Sequence, residues 1–238
     1  MLKQPTLDMS TNPITKTKRP GNSNDQIISY YTLRVLIGAA GILLPVLLVI
    51  GKLISENSFQ IEYSISDYYD NSTAGDILVG VLFALAFFLV SYKGYAAIDS
   101  IAANFGCVFA LGVALCPTTS KNLVIHYAHF VFAFLLFSVF IFFSIYLFRK
   151  SSPHPTKQKK NRNSVYLLCG IIMIGCIAGI AIFEFLGSPQ FNETWHPVFW
   201  LESLALISFG FSWITKAEMV FRDDNKKQEM PEKVFQVA

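Results

Sequence analysis

Long apolar runs alternate with short polar interruptions along this chain. The runs cover about 32–54, 77–92, 101–116, 123–148, 165–186 and 198–214. An α-helix rises about 1.5 Å per residue and a bilayer core is about 30 Å thick, so roughly 20 apolar residues cross it. The pattern predicts an all-α polytopic membrane protein, a bundle of six transmembrane helices over 31–215. A tail rich in Thr, Asn, Ser and Pro precedes it at 1–30, and a charged tail follows at 216–238; both are expected to be flexible. No short apolar core with a cleavage site precedes Tyr31, so the first run is expected to stay as a span.

Punctuation refines these elements. Gly38-Ala39-Ala40-Gly41 offers a small face for a neighbouring helix, and Pro45 is a candidate kink. Asp76 is placed to cap the second helix, and Asp99 falls in the connection to the third. Pro117 ends the third helix. Gly175 and Gly179 have the G-x-x-x-G spacing in the fifth. Residues 149–164 form a basic loop, and Gly187 to Pro197 a short loop.

Composition agrees. The 238 residues are 53% hydrophobic and 15% charged, with 22 phenylalanines and a mean hydropathy of +0.46. Soluble domains carry about 25% charged residues. The net charge of +3 is too small, and the cations too segregated, for nucleic-acid binding; membrane lipids are the expected partners. The four cysteines lie in apolar runs without zinc-type spacing, which makes them packing residues.

The cations set the orientation. With six spans, both termini share a side, and of the 19 lysines and arginines only Lys52 and Lys121 fall on the other. The positive-inside rule makes the basic side cytoplasmic. The expected location is a cell membrane, a bacterial inner membrane rather than a eukaryotic endomembrane.

Ionisable residues inside spans are costly and point to function by default. Here they gather at the outer side. His126 and His129 share a face in the first turns of helix four, Glu184 closes helix five, and His196 and Glu202 open helix six. The polar stretch Ile61 to Asp76 lies on the same side, with Ser66, Asp67, Tyr68 and Tyr69. One reading makes Ser66, Asp67, Tyr68, Tyr69, Glu184 and Glu202 a site for a lipid head group. A second gathers His126, His129 and His196 with carboxylates around zinc, whose bound water would attack a lipid amide or ester. A third is structural pairing, in a scaffold or assembly subunit without ligand. The H-E-x-x-H signature and the G-x-S-x-G elbow are both absent.

The run Ser64-Ile65-Ser66-Asp67-Tyr68-Tyr69, a histidine opening helix four and Glu202 in the last helix resemble a set of uncharacterised six-span bacterial membrane proteins. More distantly, the order is similar to the DRAM/FRAG-type six-helix membrane family. The resemblance covers about 31–215 and implies a lipid-linked membrane role without a catalytic residue. The alkaline-ceramidase and progestin-receptor-like hydrolases differ in having seven spans and H-x-x-x-H in the last helix.

Overall fold

The computed structural model describes residues 29–57, 59–94 and 96–223. The expectations for 1–28 and 224–238 lie outside them. Six helices are long and apolar enough to cross a membrane. They are α1 (Tyr30–Glu56), α2 (Ser72–Ser91), α3 (Ala97–Leu115), α4 (Leu123–Phe142, continued by a π turn over Phe143–Leu147), α5 (Lys157–Leu186) and α7 (Pro197–Lys216). A short 3-10 turn, Ser66–Asp70, precedes α2, and the short α6 (Pro189–Trp195) precedes α7. Among the described residues there is no strand.

The helix starts differ from the apolar runs, because caps rather than hydropathy set them. Asn71 caps α2, its Oδ1 accepting from Ala74 N at 2.9 Å, so the helix begins at Ser72 and Asp76 stands exposed inside it. Asp99 lies in the first turn of α3, not in a connection, and accepts from Ala96 N at 3.2 Å. Thr156 Oγ1 accepts from Lys159 N at 3.1 Å and starts α5 at Lys157, so the second half of the basic 149–164 segment is helical. The 187–197 loop holds α6 and turns into α7 at His196, whose φ of 47° is left-handed.

The six spans close into a ring: α2 packs on α1 and α3, α4 on α3, α5 on α4 and α7, and α7 returns to α1. One end of the bundle gathers the 59–71 loop, the 116–122 turn and α6. The other gathers the starts of α1, α3 and α5 with the ends of α4 and α7. We call these the loop end and the basic end.

α7 is the most enclosed span, with well over half of its apolar window buried. Phe140 of α4 stacks on Phe209 of α7 with centroids 3.6 Å apart. Ser144 Oγ in the π turn donates to Ser212 Oγ at 2.9 Å, which donates to Phe209 O at 2.7 Å. Trp213 is fully buried against Tyr92, Phe143 and Phe148 rather than standing in an interfacial belt; Trp195 and Trp200 are the exposed tryptophans.

α1 and α7 cross at glycines. A Cβ on Gly210 would lie 2.4 Å from Gly38 O, and one on Gly38 would lie 2.7 Å from Gly210 O. The small face at Gly38 to Gly41 is thus a helix contact; Gly41 meets Leu206 and Phe209. On α5 the G-x-x-x-G pair divides: Gly179 meets Leu201, whereas a Cβ on Gly175 would touch nothing within 4 Å. Gly210→Ala is therefore expected to destabilise by roughly 1–3 kcal/mol through overpacking, and Gly175→Ala to leave stability unchanged. Melting temperatures in detergent check this; equal values for the two variants would contradict the α1–α7 crossing.

Candidate functional site

The loop end carries the residues of the predicted outer cluster, and its organising feature is the backbone of 61–71. This segment crosses the mouth of the bundle and is bonded to the end of each span.

On α7, Tyr63 O accepts from Phe199 N at 3.0 Å, which satisfies an amide that the helix start leaves without an internal partner. One turn on, Glu202 Oε2 accepts from Ile65 N at 2.6 Å. On α4, Ser66 Oγ lies 2.8 Å from His129 Nε2. The other ring nitrogen, Nδ1, faces Cys116 O at 2.6 Å. A carbonyl only accepts, so Nδ1 carries the hydrogen; Nε2 of the neutral ring then accepts from Ser66. His129 is fully buried, so its two bonds use both of its polar atoms.

The remaining spans are tied in turn. Tyr69 OH donates to Ala114 O of α3 at 3.1 Å, and Thr118 Oγ1 donates to Ser66 O at 3.5 Å. His126 Nδ1 is hydrogen-bonded to Thr118 O. His126, His129 and Tyr69 thus take up carbonyls at the end of α3 and in the turn after it. Tyr63 OH donates to Glu184 Oε1 of α5 at 2.9 Å, and Asn192 of α6 donates to Tyr63 OH at 3.4 Å and to Phe183 O at 3.0 Å. Burial, then the Glu184 bond, pushes the Tyr63 phenol up to about 12. On α1, Lys52 pairs with Glu62 and, at 3.7 Å, with Glu56; Asn71 is hydrogen-bonded to Glu56 and accepts from Ser55 Oγ at 3.1 Å.

Ser64 and Asp67 bond each other's backbone. Asp67 Oδ2 accepts from Ser64 N at 3.0 Å, and Ser64 Oγ accepts from Asp67 N at 3.2 Å. This is the reciprocal arrangement of a capping box, and it folds the 3-10 turn. Gly75 is needed below it, since a Cβ there would lie 2.4 Å from Tyr69 O. Tyr68 is fully buried; its ring lies 6.0 Å from that of Phe199, and its OH accepts from Glu62 N at 3.4 Å.

The predicted residues therefore divide. Ser66, His129, Glu202, Tyr68, Tyr69 and Glu184 meet the loop, and Asp67 braces it. His196 stands apart as the hinge between α6 and α7; its Nδ1 is buried without a hydrogen-bond partner among the described residues. Asp70 and Asp76 are exposed. Among the described residues no three His, Cys, Asp or Glu side chains gather as a metal site would require. His129 spends Nε2 on Ser66 and Nδ1 on Cys116 O, so it has no nitrogen left for zinc in this arrangement. Sequence reasoning missed Tyr63, Asn192 and Lys52, which are as central to the network as the residues it named.

The chain matches no family model, no curated protein and no solved structure. What it does is read from its own geometry.

Burial raises the Asp67 carboxyl above its usual range, the nearby Glu62 and Glu184 add to the rise, and the two Ser64 bonds oppose it. A raised folded-state value means that protonation favours the folded loop. That stability is full below the ordinary carboxylate range and is lost as pH rises through the elevated value. The melting temperature is expected to fall as pH rises above the ordinary carboxylate range of about 4, less steeply in Asp67→Asn. Identical slopes in a pH series would contradict the half-buried placement of Asp67.

Proposed function

We propose that this is a multi-pass protein of a bacterial inner membrane, with the basic end in the cytoplasm and the loop end outside. Its outer polar cluster acts as a latch that closes that end of the bundle. The single observation that carries the latch is the bonding of 61–71. His129, Glu202, Glu184, Tyr69 and Lys52 all direct polar atoms to this loop or to helix-end carbonyls. A ligand site presents unused donors and acceptors; a latch uses them on its own chain. Membrane lipids are the partners, through the exposed apolar faces of the spans.

The orientation is supported by the sorting of Lys and Arg. In intact cells, Gln60→Cys, exposed in the loop, is expected to react with a membrane-impermeant maleimide, and Ser152→Cys only after the cells are opened. The reverse pattern would overturn the topology.

One observation favours a second reading. Ser66, His129 and the Cys116 carbonyl stand in the order nucleophile, base and orienting group, with bonds of 2.8 and 2.6 Å. In this reading Ser66 attacks a lipid ester at the outer surface, His129 takes its proton and passes it to the departing alcohol as the ester C–O bond breaks, and water then hydrolyses the acyl-serine. A fluorophosphonate probe separates the two. The latch predicts no covalent adduct and a lower melting temperature for Ser66→Ala. An adduct that maps to Ser66 and disappears in His129→Ala would replace the latch with an acyl-transfer site.

A further inference from the structure

At the basic end a cavity of about 360 Å³ opens among the start of α1, the first turns of α3 and α5 and the ends of α4 and α7. That lies within the roughly 300–1,000 Å³ of small-ligand clefts. Arg34, Lys150, Lys159, Arg162 and Lys216 line it against the carboxylates of Asp99, Glu218 and Asp223, which leaves a positive excess before His154 is counted.

The carboxylates are engaged with particular cations. Arg162 Nη2 pairs with Asp223 at 2.8 Å and lies 3.9 Å from Glu218, and Lys150 lies 3.7 Å from Asp99. Thr156 Oγ1 also donates to Asp223, at 2.6 Å. The cations are held in place by the aromatic floor. Lys159 Nζ donates to Phe148 O at 2.7 Å and lies 5.5 Å from the Tyr166 ring centre; Lys216 Nζ lies 5.3 Å from that of Phe148. An ammonium has three donors, and the Phe148 carbonyl takes one from Lys159. The floor is the Trp213 cluster that joins α4, α5 and α7.

The geometry points to a binding site here for a phosphate-bearing anion, at the level where the spans meet the head-group region. A tetrahedral anion with several strong acceptors matches fixed ammonium and guanidinium donors, and basic pockets between membrane helices take acidic head groups. Lys150, a lining residue, is itself exposed, and its ammonium lies 5.0 Å from the exposed Tyr146 ring. A glycerophosphate could enter there with its chains left among the apolar faces. The chemistry is shared by a lipid head group and by free phosphate, and the site is independent of the latch at the other end.

The full chain, purified in a phosphate-free detergent, tests this by thermal shift. The ligands are short-chain phosphatidylglycerol, short-chain diacylglycerol and inorganic phosphate, at matched ionic strength. A saturable rise in melting temperature with phosphatidylglycerol and none with diacylglycerol is expected. A weaker rise with phosphate assigns the pocket to a lipid head group, and an equal one to the free anion. Lys159→Gln/Lys216→Gln should weaken binding by about tenfold or more, the size of lost hydrogen bonds to a charged group. Lys159→Arg/Lys216→Arg should retain it. Arg149→Gln/Lys160→Gln, equal in charge change but outside the cavity, should leave it intact. Where the double glutamine variant does not fold, Lys159→Gln alone makes the comparison. No saturable rise in either phosphate arm, or equal loss in the off-cavity variant, overturns the proposal.

Discussion

A backbone that crosses the mouth of a membrane bundle must place its N–H and C=O groups, because water is scarce there and an unpaired amide costs about 1–3 kcal/mol. Helix ends face the same demand, with up to four unpaired groups each. In this protein the two demands meet. The Tyr63 carbonyl serves the start of α7, Glu202 serves the Ile65 amide, and Tyr69 and His129 serve carbonyls at the end of α3. At the loop end, Glu202 and His129 of the spans serve this irregular backbone.

The two ends of the bundle differ in what they do with polar groups. At the loop end, side chains are taken up by the chain's own backbone and by one another. At the basic end, cations surround a cleft and rest on aromatic rings. Between them, α7 runs through the middle. It is fixed at one end by Phe199 and Glu202, along its length by the Gly38–Gly210 crossing and the Ser144–Ser212 bond, and at the other end by Trp213.

The six spans were legible because hydropathy has no competing signal at that length. The convergence of Ser66, His129 and Glu202 at one end was legible from depth counting, since alternating spans send residues near corresponding helix ends to the same side. The partners were not legible. Glu202 bonds a backbone amide, and Tyr63 reaches Glu184 across more than a hundred residues; neither leaves a periodic mark. The Ser64–Asp67 box is legible as S-x-x-D, whereas the ligand reading took Asp67 with Ser66. Asn71 was a better cap than Asp76 for the same reason: its position sets the helix start, whereas the apolar run only shows where the lipid begins.

The central claim is that Glu202 and its neighbours hold the 61–71 backbone shut across the bundle. Hydrogen exchange at single-amide resolution tests it most directly. The Ile65 amide is predicted to exchange about a hundredfold or more slowly than the exposed Gln60 amide in the full chain. That protection should persist in Glu202→Gln, which keeps an acceptor, and be lost in Glu202→Leu, which does not. An Ile65 amide that exchanges as fast as Gln60, or that is equally protected in both variants, would contradict the latch.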